Sequence, residues 1–227
     1  MRNVNDLTPP QKAAKTPLVW IDCEMTGLDP AVDELVEVAV IVTDSLLHPL
    51  APGIDVVIKP SEAALSQMSD FVRDMHTDSG LLERLESGMS LEDAEKQVVD
   101  YLKRVVPEEG SALLAGNSVG QDQRFLRAYM PQVTDHLHYR IIDVSTVKEL
   151  AKRWYPRVYA CAPAKNGSHR ALADIQDSIV ELEYYRRALF PEELVSEHGY
   201  YNDLAARVLA QAERSFADFA GGPQSAN

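Results

Sequence analysis

The amino-acid sequence predicts an α/β domain, a mixed sheet flanked by helices in which the first three strands run antiparallel. Three observations carry this. Strand-length apolar runs open the domain in close succession, separated only by short turn-forming stretches. From Ser90 onward, stretches with helical periodicity alternate with short β-rich runs. No repeat period and no long low-complexity tract interrupts that order.

LVWIDCEM (18–25) reads as a well-buried first strand, ended by the turn signal Gly27-Leu28-Asp29-Pro30. LVEVAVIVT (35–43) is rich in β-branched residues and pairs beside it. IDVVIKP (54–60) makes a third strand that Pro60 stops. Residues 61–80 are helical in part, with Leu65, Met68, Val72 and Met75 on one stripe. Ser90 to Val106 is a firmer helix. Its apolar face is Leu91, Ala94, Val98, Leu102 and Val105, and Ser90 with Asp93 resembles a capping box. ALLAGN (112–117) is a short buried strand, followed by a helix over about 121–130 that Pro131 closes. RIIDV (140–144) is a further strand, with Ser145 as N-cap of a helix reaching Trp154. The last long helix, about 170–189, buries Ala171, Ile175, Ile179, Leu182 and Tyr185.

Three segments follow from this order. Residues 1–16, polar and proline-bearing, form a disordered arm; 17–190 form the domain; 191–227 form a helical extension with a disordered end. In the extension, Leu204, Val208, Ala212, Phe216 and Phe219 suggest an amphipathic helix, either packed on its own domain or holding a partner. Strand, meander, then strand–helix alternation matches ribonuclease-H-like folds, although fold alone does not give function.

With 22 basic and 35 acidic residues the net charge is −13. Proteins that grip long nucleic acids carry a basic footprint instead. A protein of this balance that acts on nucleic acid needs metal ions at its site or a very short substrate. Two cysteines, Cys23 and Cys161, make no disulfide framework and no four-ligand zinc site. No run approaches the ~20 apolar residues of a membrane span, and the N-terminus lacks an apolar signal core, so a cytoplasmic location is expected.

Asp22 and Glu24 stand two apart on the first strand and therefore share a face. Two acids at the end of a buried strand repel one another and are costly to desolvate, and a cation offsets both. Taken alone, they also fit a solvated strand end. Asp122, in a first helical turn, can equally serve the helix dipole, and Asp174 has the same ambiguity. His169 and Asp174 are five residues apart, about 140° on an ideal helix. For both to face one site, His169 must lie on the loop before the helix; otherwise it is an exposed loop histidine. Cys23, between the two strand acids, turns to the opposite face and reads as core.

The order of these groups carries more than any one of them. In WIDCEMTGLDP (20–30), AGNSVGQDQRFL (115–126), LHYRIIDVSTVKELAKRWYP (137–156) and SHRALADI (168–175), the chain resembles the DEDDh exonuclease superfamily, and within it the oligoribonucleases. The resemblance runs from about Leu18 to Phe190. It implies a 3′→5′ exoribonuclease that degrades very short RNA, above all 5′-phosphorylated dinucleotides, to 5′-mononucleotides. Asp22, Glu24, Asp122 and Asp174 would hold two divalent cations, Mg²⁺ or Mn²⁺, and His169 would be general base. Leu28 matches a wedge between the two bases. Phe71 falls where relatives often carry Trp, and either stacks on a base or packs in the core beside Met68 and Met75. Ser118, Arg140 and Ser145 match a cap for the 5′-phosphate. Tyr139 and His76 match groups supplied by a partner protomer, which implies a C₂ homodimer with composite sites. Two other readings stay open: a DNA proofreading-type exonuclease on the same metal site, and a catalytically silent dimeric nucleotide-binding module.

Overall fold

A computed structural model describes residues 16–164, 170–190, 200 and 203–211. His169 lies outside them, as do the arm through residue 15 and the extension's Ala212, Phe216 and Phe219. The chain divides into two compact units, Met1–Leu189 and Phe190–Asn227, and in the second, residues 203–211 are helical.

The first unit runs β1 (Leu18–Met25), β2 (Leu35–Thr43), β3 (Ile54–Val57), α1 (Glu62–Gln67), α2 (Asp70–Asp78), a 3₁₀ segment (Leu82–Ser87) and α3 (Leu91–Val105). It continues through β4 (Leu113–Gly116), α4 (Gly120–Tyr129), α5 (Pro131–His136), β5 (His138–Asp143), α6 (Val144–Trp154), α7 (Pro156–Ala160) and α8 (Ala171–Leu189). The five strands form one sheet in the order β3-β2-β1-β4-β5. β2 pairs antiparallel with both β1 and β3, whereas β4 pairs parallel with β1 and with β5. The expected mixed sheet with an antiparallel opening is therefore present.

Strand parity sorts the core into two layers. Val19, Ile21, Cys23 and Met25 of β1 face a cluster with Val98 and Leu102 of α3 and Phe125 and Leu126 of α4. Trp20 faces the other way, packing with Ala39 and Ile41 of β2 and with Ala171 and Ile175 of α8. Asp22 and Glu24 share the parity of Trp20, so α8 is the helix they meet. Every residue of β2 is buried, because both sheet faces at its position are covered.

Several boundaries differ from the sequence reading. β3 ends at Val57, and Ile58 continues only as a single parallel bridge to Met89. Residues 61–80 split into two helices because Ser61 and Ser69 each cap a fresh start, accepting from the backbone N–H of Ala64 and Val72. Pro131 does close α4, but it also opens α5 as its first residue, where its missing N–H costs nothing. Ser145 is not the N-cap of α6. Asp143 is, and its carboxylate accepts the Ser145 N–H at 2.9 Å. Both cysteines are free. Among the described residues no helix is long and apolar enough to cross a membrane.

Candidate active site

Carboxylate oxygens of Asp22, Glu24 and Asp174 all lie within 4.8 Å of one another. β1 supplies the first two from one face, and the first turn of α8 supplies the third. Asp122 reaches the same strand from the opposite layer. β1 pairs with β4 only over Leu18–Trp20, so further along, the β4 side of β1 lacks a strand partner. There the backbone N–H of Cys23 donates to Asp122 Oδ1 at 3.0 Å. Asp122 thus sits beside the three-acid group and outside it.

This concentration of acid is electrostatically unfavourable by itself. Glu24 is pushed up to about 8, chiefly by burial and then by the nearby charges of Glu37, Asp174 and Asp122. Asp122 is pushed up to about 7 by burial, against the lowering effect of the Cys23 N–H. Burial likewise drives the Cys23 thiol well above its usual range, and as expected it is a core residue. Carboxylates that crowd together and resist ionising suit a hard divalent cation with oxygen ligands. The donor set therefore fits the metal chemistry expected of it.

His76 requires a correction. It is fully buried inside its own chain, with Nε2 2.9 Å from the Met25 carbonyl and Nδ1 4.0 Å from Glu24 Oε2. A carbonyl only accepts, so Nε2 carries the proton. A ring locked there cannot reach across to a partner protomer; it backs the acids of its own site. Tyr139, by contrast, is 72% exposed and has the Arg140 guanidinium 5.5 Å from its ring centroid.

Leu28 and Phe71 are 73% and 78% exposed, so Phe71 does not pack in the core. The turn that presents Leu28 is held by Asp33, whose carboxylate accepts from the Asp29 N–H at 2.9 Å and the Thr26 hydroxyl at 3.2 Å. A side chain at Gly27 would collide with that carboxylate. Gln121 Nε2 donates to the Leu28 carbonyl at 2.7 Å, tying the turn to α4.

Ser118 and Ser145 come together at the starts of α4 and α6, their hydroxyl oxygens 3.0 Å apart. Asp143 Oδ1 accepts both backbone N–H groups, at 3.0 Å from Ser118 and 2.9 Å from Ser145. Ser118 takes φ 54°, a left-handed conformation costing a non-glycine residue about 1–2 kcal/mol. The Asp143 contact helps to hold it there. Arg140 stands exposed on β5, the strand that ends at Asp143.

The chain matches the family described as Exonuclease over residues 19–182. It is 59% identical to the oligoribonuclease of Leifsonia xyli over 176 residues, covering 78% of this chain and 85% of that one. Against the oligoribonuclease of Streptomyces griseus the identity is 56% over 195 residues, 86% and 97% of the two chains. This chain belongs to the oligoribonuclease family. Its fold is also that of E. coli exonuclease I, solved in complex with a dT13 oligonucleotide. There the TM-score is 0.59 and the identity 14%, over 76% of this chain and 41% of that one. At that identity the likeness is one of fold only.

Beside the acidic cluster stand further polar residues that the sequence does not single out. Glu37 is fully buried and registers opposite Glu24 across β1 and β2. It accepts from Arg84 at 2.8 Å and from the Ala171 N–H at 3.3 Å, linking the 3₁₀ segment to the start of α8. Burial and Asp55 raise its pKa, while the Ala171 N–H and the two arginines Arg84 and Arg170 oppose the rise. One signal was available: Glu37 is the only charged residue in LVEVAVIVT. Asn117, Ser178 and Glu181 form a second network, between β4 and α8.

Proposed function

We propose that this chain hydrolyses very short RNA from the 3′ end, releasing 5′-mononucleotides, with 5′-phosphorylated dinucleotides as preferred substrate. The observation that carries the reading is the acidic cluster of Asp22, Glu24 and Asp174, with Asp122 beside it, in a chain of the oligoribonuclease family. In this reading these four residues hold two divalent cations, Mg²⁺ or Mn²⁺. Bound there, the cations would supply charge stabilisation to the phosphoryl group and to both the attacking and leaving oxygens.

The chain's own groups then divide the work. His169 accepts the proton of the attacking water. Asp174 lies in the first turn of the helix that begins at Ala171, and His169 itself lies outside the described residues. Leu28 separates the two bases, and Phe71, being exposed, is available to stack on one of them. Ser118, Ser145 and Arg140 receive the 5′-phosphate. Two helix starts meet at the serines, and a guanidinium binds phosphate bidentately. Tyr139 contributes from a second copy in a C₂ dimer, for which its exposure leaves it available.

The experiment is hydrolysis of a 5′-phosphorylated diribonucleotide with Mg²⁺ or Mn²⁺, with and without EDTA. The expected outcome is mononucleotide release that EDTA abolishes and added metal restores. Undiminished turnover in EDTA would sink the reading. A matched deoxyribonucleotide, run in competition, tests the alternative of a DNA exonuclease.

A further inference from the structure

We propose that Asn117 is a positioning residue that couples the 5′-phosphate end of the site to the helix carrying Asp174. The proposal rests on the reading of Ser118 and Ser145 as the phosphate cap. Asn117 follows β4, and its amide makes hydrogen bonds in two directions. Nδ2 donates to Ser178 Oγ at 2.8 Å and to Glu181 Oε2 at 3.1 Å, both on α8. Oδ1 accepts from the Ser145 hydroxyl at 3.1 Å.

The amide has only one workable orientation. Glu181 is buried and its other oxygen is paired with Lys148 Nζ at 2.9 Å, which leaves Oε2 as the acceptor that faces the NH₂ group. Oδ1 is thereby turned to Ser145, which spends its single proton on it. Ser145 can then only accept from Ser118, 3.0 Å away. On the other side Ser178, which accepts from Asn117, donates its own proton to the Asp174 carbonyl at 2.8 Å. An ordered run of hydrogen bonds thus joins Ser118, Ser145, Asn117, Ser178 and the backbone of Asp174.

The direction of that run has a consequence for substrate. Of the two serine hydroxyls, only that of Ser118 can turn away from its partner to donate to a phosphate without breaking a bond to Asn117. Ser145 stays pinned, and through Asn117 the pinning reaches α8. A 5′-phosphate therefore engages a group whose order extends to the backbone of Asp174, the residue read here as a metal ligand, whereas a 5′-hydroxyl dinucleotide does not.

Two readouts on the full-length protein test this. One is the ratio of kcat/KM for 5′-phosphorylated over 5′-hydroxyl dinucleotide. The other is Mn²⁺ affinity of nucleotide-free protein by calorimetry. Asn117→Ala should lower the ratio about tenfold, the worth of one to two buried hydrogen bonds, and also weaken Mn²⁺ binding severalfold. Ser145→Ala should lower the ratio and leave Mn²⁺ binding unchanged, and adding Asn117→Ala to it should not lower the ratio further. A uniform loss of kcat on both substrates, with wild-type Mn²⁺ affinity, would mean Asn117 is merely structural and would overturn the proposal. If Asn117→Ala does not fold, Ser178→Ala cuts the run at its α8 end: weakened Mn²⁺ binding supports the coupling, and wild-type binding overturns it. Should Ser145→Ala and Arg140→Ala both leave the ratio intact, the cap reading itself falls and the proposal with it. If they lower it while Asn117→Ala does not, only the proposal falls.

Discussion

At the scale of single residues, the acids are held at an electrostatic cost that a cation would offset. Asp22→Ala or Asp174→Ala should cut turnover by at least about 10³-fold, several kcal/mol of charge stabilisation. Both should leave a folded protein, checked by circular dichroism. Glu24→Gln should do the same to turnover yet raise the unfolding temperature in EDTA, by about 2–4 °C for each 1 kcal/mol of repulsion relieved. The pH dependence follows from the same groups. Glu24 has an ordinary value of 4.5 and is raised to about 8, so between those values the folded state holds a proton the unfolded chain has lost. Stability without metal is therefore full below about pH 4.5 and is lost as pH rises towards 8, and Asp122 acts in the same direction. Thermal melts in EDTA across that range should show a falling midpoint, and saturating Mg²⁺ or Mn²⁺ should flatten it; a midpoint rising with pH in EDTA contradicts this account. Each acid was visible in the sequence, and their shared face followed from strand parity. The buried pairings of Glu37, His76 and Asn117 were not, because they depend on which elements the sheet order brings together.

At the scale of elements, periodicity located the five strands and the long helices, whereas ends and short helices escaped it. Pro131 was read as a stop because a proline ends a helix as readily as it begins one. Ser145 reads as a cap because Asp143 falls inside the strand expected over 140–144; β5 ends at Asp143 instead, and its one carboxylate serves two helix starts. Phe71 shows the limit of pattern reading. Met68 at three residues' distance suggests a shared buried stripe, but the chain restarts at Ser69 and turns Phe71 outward. Because Leu28 and Phe71 are exposed on a turn and a short helix, replacing either with Ala should leave the unfolding temperature nearly unchanged. Each should raise KM for dinucleotides, Phe71→Ala by about tenfold, in line with 1–3 kcal/mol per base stacked on an aromatic ring. Steady-state kinetics paired with thermal melts checks this, and an unchanged KM for both would remove the wedge and stacking roles.

At the scale of the whole molecule, a net charge of −13 and a nucleic-acid substrate are reconciled by size. A long strand needs a basic groove to displace counterions, whereas a dinucleotide needs only a local grip on one terminal phosphate and a metal site at the other end. That conclusion was available from composition once the motifs pointed to a nuclease. What composition did not give is how near the two ends are tied, through β4, α6 and α8. The most direct measurement is kcat/KM for a 5′-phosphorylated diribonucleotide against a roughly 20-nucleotide RNA of matched ends, at fixed salt and Mg²⁺ or Mn²⁺. The account predicts strong preference for the dinucleotide, reduced by Arg140→Ala through its KM. Equal turnover of the two lengths would contradict it.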